Sequence, residues 1–354
     1  MSGGVDSSVA AALLQEQGYD VTGVTMQIWD SGAGNKCCSL AAVEDARRVA
    51  YRLGIPYYVM NFRDVFKEKV IDYFTAEYRR GRTPNPCIAC NRFVKFEVFL
   101  YKAFGLGADF IATGHYARPG YCRRRGRYIV RRAKDQKKDQ TYVLYGLTQP
   151  QMARTLMPLG DYTKDQVRRI ASRLDLPVAD KAESQEICFI ADDNYRNFLA
   201  GKFAGEIKPG PFLDIHGRVI GRHRGIPYYT VGQRRGLGLS GDRRLYVVAI
   251  DPEKNTVTVG PEEATYGRTL EAADLNLILY NELVTPLEVE AQIRYNARPA
   301  PATVSSLTGG RLQVYFHHPQ RSITPGQAVV FYQGDYLVGG AVIEQKLTQQ
   351  QLRD

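Results

Sequence analysis

Two features of this 354-residue chain carry side chains able to do covalent chemistry. The first is a pair of thiols, Cys87 and Cys90, spaced C-x-x-C in "GRTPNPCIACN", with a lone thiol, Cys188, far downstream in "KAESQEICFI". Thiols so placed serve as nucleophiles, redox catalysts or metal ligands; no second C-x-x-C and no H-x3–5-H completes a zinc site. A lone cysteine between Ile187 and Phe189 also suits a buried core position. The second feature is "MSGGVDSS", Met1–Ser8. Gly3 and Gly4 permit close approach, the backbone N–H groups ahead of a helix form an anion nest, and Ser2, Ser7 and Ser8 add hydroxyl donors. Asp6 inside such a nest is either a loop-shaping cap or a Mg2+ ligand. The G-x4-G-K-[ST] string of common phosphate loops does not occur.

The charge distribution favours a polyanionic partner. The net charge is +10, and between Gly114 and Lys138 ten Lys and Arg residues stand against one acid, Asp135. Tyr116, Tyr121 and Tyr128 are interleaved among them. A solvated hairpin turning at Gly126 would carry such charges, but like charges with so little compensation repel, and a nucleic-acid backbone accounts for them better. The six cysteines are unevenly spaced and form no disulfide framework. No apolar run reaches the ~18 residues of a membrane span, and the N-terminus has no basic-then-apolar leader. The expected location is cytoplasmic, with no membrane partner.

The elements that must position these groups follow from periodicity. Ser8–Gln17 favours helix, with Gly18 at the C-terminal cap. "VTGVTM" (Val21–Met26) reads as a buried strand. Val43, Ala46, Val49, Ala50 and Leu53 share one face of a helix from about Leu40 to Leu53, with Ser39 as N-cap and Gly54 closing it. "YYVM" (Tyr57–Met60) is a strand, helices follow at about Val65–Arg79 and Arg92–Phe104, and "DFIATGH" is a strand ending in a Gly turn. This alternation predicts an α/β fold with a doubly wound parallel sheet that binds ligands at its carboxyl edge. After about Gly201 the texture changes to short β-rich runs ("LYVVAI", "TVTVG", "LEVEAQI", "LQVYF") between turns, expected to form two small barrel-like domains. The expected boundaries are 1–202, 203–266 and 270–347.

"SGGVDSS" resembles the pyrophosphate loop of PP-loop ATP pyrophosphatases, which adenylate an oxygen and release pyrophosphate. On that resemblance Met1, Ser2, Gly3, Gly4, Val5, Asp6, Ser7 and Ser8 hold the ATP phosphates, Met26 borders the adenine, and Gly114 faces the nucleotide. The longer strings "GRTPNPC-x-x-CN", "ATGHYAR", "KKDQTYVLY", "ESQEICFI", "YTVGQRRGLG" and "TPGQAVVFYQGDYLVGGAVI" resemble, in the same order, the tRNA-specific 2-thiouridylase family along the whole chain. The resemblance implies thiolation of the wobble uridine at C2 in tRNAs for Lys, Glu and Gln, with ATP and Mg2+ as cofactors. It implies that Cys188 carries a persulfide, supplied by a cysteine desulfurase or a sulfur-carrier protein, and that Cys90 is the nucleophile that releases the sulfur. It further implies that Asn85, Pro86 and Cys87 meet the flipped-out uracil. His115, Lys138, Asp139 and Gln140, with Arg294, Tyr295 and Gln327 near the C-terminus, would contact the tRNA.

The chain departs from many family members in having Cys87 where they have Asp, which leaves that acid's role unassigned. Three thiols then admit a rival arrangement, an iron–sulfur cluster on Cys87, Cys90 and Cys188, with Cys37 and Cys38 as further ligands or relays. Cys122 matches nothing in the family. A second expectation concerns the start of the chain. A buried strand ordinarily precedes a pyrophosphate loop, so a start upstream of Met1 is expected, giving a form that is more stable and binds ATP better.

Overall fold

The computed structural model describes residues 1–29, 40–182, 187–190, 194–203, 205–239, 244–283 and 285–347. Two compact units emerge. One comprises Met1–Ile71, Pro86–Asn194 and Asp335–Leu337; the other comprises Asp72–Asn85, Tyr195–Gly334 and Val338–Asp354.

In the first unit, α1 (Val5–Glu16) starts inside the glycine loop. Its sequence "VAAALL" is apolar on every side, and Val9, Ala10, Leu13 and Leu14 are all buried, as a central helix requires. β1 (Gly23–Gln27) lies parallel to β2 (Tyr57–Asn61), in register from Gly23↔Tyr57 to Gln27↔Asn61. Between them in sequence α2 (Leu40–Leu53) buries Ala46, Val49 and Ala50 of the predicted face together with Ala42, while Val43 and Leu53 are half-buried. Its expected cap, Ser39, lies outside the described residues, as do Cys37 and Cys38. "DFIATGH" is strand only at Ile111–Ala112, which runs parallel to Thr155–Leu156. The expected parallel α/β organisation is thus present. Val5, Val9, Val49, Tyr116, Leu159 and Val167 contribute to one core beneath the loop.

The C-x-x-C segment is helical from Pro86, earlier than the expected Arg92. Proline suits the first helical position, where its missing N–H costs nothing. From Cys90 to Phe99 the turns widen to π-helix before α-helix resumes at Leu100–Gly105. Widened turns of this kind recur at functional sites.

In the second unit, a four-stranded sheet has the order Val219–His223, Gly210–Leu213, Thr256–Gly260, Tyr246–Asp251. A six-stranded antiparallel barrel follows, closed where Tyr266–Leu277 pairs with both Leu312–Arg321 and Tyr336–Leu347. Closure removes exposed sheet edges. Tyr266–Leu277 is one continuous strand, so residues 267–269, expected to separate two domains, lie within the barrel. The register shift at Gly267/Thr269 marks a bulge in that strand.

Candidate active site

The phosphate loop is built from its own backbone. Gly4 precedes the first helical turn; its carbonyl accepts from Ser7 Oγ at 3.2 Å and Ser8 Oγ at 2.9 Å. Ser2 N donates to Ser7 Oγ at 3.1 Å. Gly3 sits at φ 69°, and a Cβ there would meet the Ala42 carbonyl at 2.2 Å, so this position requires glycine. Thr25 Oγ1 donates to the Met1 carbonyl at 2.6 Å, which seats the loop beside β1, next to Met26. Gly114 packs so closely on the loop that a Cβ would lie 2.8 Å from Ser7 N. The structure therefore gathers Met1–Ser8, Met26 and Gly114, the residues expected at the nucleotide.

Asp6 is fully engaged. Lys164 Nζ donates to both its carboxylate oxygens, at 2.8 and 3.0 Å, and Tyr116 OH donates to Oδ1 at 2.8 Å. Lys164 is only 8% exposed and opens the helix Lys164–Arg173, whose cap, Thr163, forms a reciprocal capping box with Gln166. A second ammonium, Lys181 Nζ, donates to the Gly3 carbonyl at 2.8 Å and to Asp45 Oδ2 at 2.6 Å. The loop that would face a triphosphate thus has its one carboxylate neutralised. Neither lysine was singled out from the sequence, and Tyr116 only as one of the tyrosines interleaved in the basic segment. Only the spacing of Thr163 and Gln166, a capping box, signalled a helix start at Lys164.

Cys87 is exposed and Cys90, one helical turn on, is buried at 8% exposure; Cys188 is half-buried. All three, with Cys122, are free of disulfides. Asn91, beside Cys90, is buried; its Nδ2 donates to the Val143 carbonyl at 3.0 Å, while its Oδ1 has no hydrogen-bond partner among the described residues. Ile88, Asn91, Val143 and Gly146 help line a narrow crevice with no room for a water molecule. Among the described residues no three His, Cys, Asp or Glu side chains gather as a metal-binding group.

The expected tRNA triplet faces inward in part. Asp139 accepts from Ala133 N at 2.7 Å and from Thr141 Oγ1 at 2.5 Å, and burial holds its pKa above the usual carboxylate range despite those bonds. Gln140 Oε1 accepts from Tyr116 N, and Gln140 N donates to the Tyr116 carbonyl, both at 3.0 Å. A continuous chain of contacts therefore runs Gln140–Tyr116–Asp6–Lys164. His115 is buried against Phe96, with Nδ1 2.7 Å from Thr113 Oγ1; burial, reinforced by Lys95, lowers its pKa well below that of a free imidazole.

In the second unit, Arg294 Nη2 donates to the Val231 and Ser322 carbonyls, each at 2.9 Å, and to Thr324 Oγ1 at 2.5 Å. Gln327 Nε2 donates to the Thr83 carbonyl at 2.6 Å, while Tyr295 is exposed. Arg82, in "GRTPNPC", bridges Glu77 at 2.6 Å and Glu344 at 2.8 Å. Asn85 ends this unit's loop segment and Pro86 opens the C-x-x-C helix of the other.

Residues 1–192 match the family described as tRNA methyl transferase HUP domain, 196–261 a tRNA methyl transferase PRC-barrel domain, and 267–343 an aminomethyltransferase beta-barrel domain. The tRNA-specific 2-thiouridylase MnmA of Pelotomaculum thermopropionicum is 69% identical, covering 97% of this chain and 96% of that protein. Its counterpart from Desulforamulus reducens is 62% identical, covering 99% and 97%. The U34-tRNA thiolase NcsA of Methanococcus maripaludis, solved with its [4Fe-4S] cluster, is 18% identical over 57% of this chain and 62% of that one. Its TM-score of 0.34 is too low to bear on the chemistry here. The two MnmA relatives cover nearly the whole chain at well over half identity, and the chain belongs to the tRNA-specific 2-thiouridylase family.

Proposed function

We propose that this chain is a tRNA-uridine 2-sulfurtransferase that adenylates C2 of the wobble uridine in tRNAs for Lys, Glu and Gln and replaces the oxygen with sulfur. The observation that carries the reading is that one compact unit holds the phosphate loop, Gly114, Cys90 and Cys188 together. The C2 oxygen attacks the α-phosphorus of ATP, and pyrophosphate leaves. The terminal sulfur of a Cys188 persulfide adds to C2, and AMP departs with the former C2 oxygen. Cys90 thiolate then attacks Cys188 Sγ, so the transferred sulfur stays on the uridine and a Cys90–Cys188 disulfide forms. A two-electron thiol reductant reopens it, and a cysteine desulfurase or sulfur carrier reloads Cys188.

The residues support this division of labour. The loop amides and the N-terminus of α1 bind phosphate oxygens, and Lys164 and Tyr116 keep Asp6 from repelling them. Because Asp6 is already held, Mg2+ would arrive on the triphosphate. A uracil must leave its stack to be thiolated at C2, and Asn85, Pro86 and exposed Cys87 stand just ahead of Cys90 to receive it. Tyr295 is the exposed residue among the expected tRNA contacts, whereas Lys138, Asp139, Gln140, Arg294 and Gln327 are half-buried; the hydrogen bonds of Asp139, Gln140, Arg294 and Gln327 shape the segments around them.

The test incubates the chain with tRNA, ATP-Mg2+ and a cysteine desulfurase and measures 2-thiouridine by mass spectrometry. Product is expected in air, and none from Cys90→Ser or Cys188→Ser. No product with or without oxygen would sink the reading; product only without oxygen, with iron bound, would replace the persulfide step.

A further inference from the structure

The turn that leads towards the distant thiol is fixed before it reaches it. Leu176 and Val178 are buried in the core beneath the phosphate loop. Ala179 N donates to the Leu176 carbonyl and Lys181 N to the Val178 carbonyl, both at 3.0 Å, while Arg168 Nη1 holds the Ala179 carbonyl at 3.3 Å. Ile187–Ile190 is anchored separately. Ile190 N donates to the Ile187 carbonyl at 3.0 Å, and the buried Phe189 meets Phe66 edge-on with ring centroids 5.7 Å apart. Cys188 therefore stands between a fixed turn and a buried ring.

Lys181 closes that turn, seven positions ahead of Cys188, and its ammonium crosses to the phosphate loop. Nζ donates to the Gly3 carbonyl at 2.8 Å and to Asp45 Oδ2 at 2.6 Å. Asp45 lies on α2 about one turn past Ala42, whose carbonyl a Cβ on Gly3 would strike. The bond to Gly3 acts on Gly4. A trans peptide is planar, so the Gly3 carbonyl and the Gly4 N–H are opposite ends of one rigid group. An ammonium on the carbonyl end fixes the plane and polarises the N–H end, because linked hydrogen bonds reinforce one another. That N–H belongs to the N-cap of α1, among the amides of the anion nest. A surface pair with Asp45 alone would do none of this; the Gly3 carbonyl is what ties Lys181 to the loop.

We propose that Lys181 is a positioning residue that couples the phosphate loop to Cys188: it aims the Gly4 N–H at the nucleotide, and nucleotide in the loop restrains the segment that presents the thiol. The proposal rests on the ATP-dependent sulfur transfer of the preceding section. Coupling between two sites is reciprocal. A phosphate on the Gly4 N–H strengthens the Lys181–Gly3 bond, and the strengthened bond holds the turn ahead of Cys188.

The test uses the chain without tRNA, with Mg2+–ATP as the ligand. Calorimetric titration gives ATP affinity. Iodoacetamide labelling of the Cys188 peptide, followed by mass spectrometry, gives thiol accessibility with and without saturating ATP. In the unaltered chain ATP is expected to slow Cys188 labelling by about fivefold or more. Lys181→Met should weaken ATP binding roughly 3- to 10-fold, and saturating ATP should no longer slow its Cys188 labelling. The Lys181–Asp45 pair is partly solvated, so the melting temperature should change little. Adding Asp45→Asn removes the carboxylate left beside the loop and should leave the ATP effect on Cys188 absent. Lys181→Arg keeps the cation and should restore part of it. A Lys181→Met protein whose labelling is slowed by saturating ATP as in the unaltered chain would overturn the proposal, since ATP would then shield the thiol directly. So would an unaltered chain that binds ATP and labels Cys188 at one rate; sulfur transfer would stand in both cases. An unaltered chain that binds no ATP would sink the assigned reaction and the coupling together.

Discussion

Two arginine-rich regions of this molecule look alike in sequence and behave differently in structure. In the barrel-bearing unit, Arg82 and Arg294 are internal braces. Arg82 joins Glu77, which is 5% exposed, to Glu344, and Arg294 ties three backbone and hydroxyl acceptors together. In the first unit, Arg123–Arg125 are exposed on a single turn closed by Gly126. Lys164 stands between these extremes, buried like a brace but aimed at the carboxylate of the phosphate loop. A cation in an RNA-modifying enzyme is therefore not a contact by virtue of its charge; the partners it already holds decide what it can do.

The comparison is broken most directly at Arg82. Burial opposes its charge, yet Glu344 and Glu77 hold its pKa above that of a free guanidinium. Arg82→Met takes from the buried Glu77 carboxylate its 2.6 Å partner and leaves it Arg80 at 3.4 Å; removing one partner of a buried pair costs up to roughly 3–5 kcal/mol. Urea denaturation should show that loss, and a Glu77→Gln/Arg82→Met double variant should recover much of it. A stable Arg82→Met protein that had lost only tRNA affinity would move Arg82 into the contact class.

Lys164→Met should produce a smaller effect of another kind. Asp6 would then present an unneutralised carboxylate to the triphosphate, and a charge-assisted hydrogen bond of this sort is worth about 1.5–3 kcal/mol. Calorimetric titration with ATP should show affinity reduced at least about tenfold, with tRNA affinity unaltered. Adding Asp6→Asn should restore part of it. If ATP affinity is unchanged while the melting temperature falls, Lys164 is a brace like Arg82.

The mildest effect is on pH. His223 accepts from Gly225 N at Nδ1 and lies 3.0 Å from the Asn255 carbonyl at Nε2, so it is held neutral. Burial is the main cause of its lowered pKa, with Arg222 adding to it, and burial lowers that of His115 in the first unit as well. A folded state that resists protonation loses stability as pH falls below the ordinary histidine value near 6.5, where the unfolded chain takes up the proton. The melting temperature should therefore drop between pH 7.5 and 5.5. His223→Gln should flatten that drop, measured by calorimetry; an equally steep profile in the variant would place the titration elsewhere.

Much of the site was legible in order along the chain. The glycine loop, the two thiol segments and the Gly114 turn are local strings, and the period of α2 placed its buried face correctly, because neighbours in sequence decide glycine geometry and helix periodicity. The widening of the helix at Cys90–Phe99 and the bulge in Tyr266–Leu277 were not legible, since both depend on what packs against the backbone.

By itself the sequence determined which reactive groups exist and the elements that bear them: an anion nest heading a helix, a C-x-x-C, a distant thiol and a cluster of ten cations. Only the tertiary structure decided which charges are spent. Asp6 meets Lys164 and Tyr116 across more than a hundred residues, and Arg82 meets Glu344 across most of the chain. Coulomb and hydrogen-bond energies depend on distance and burial, and separation along the chain reports neither.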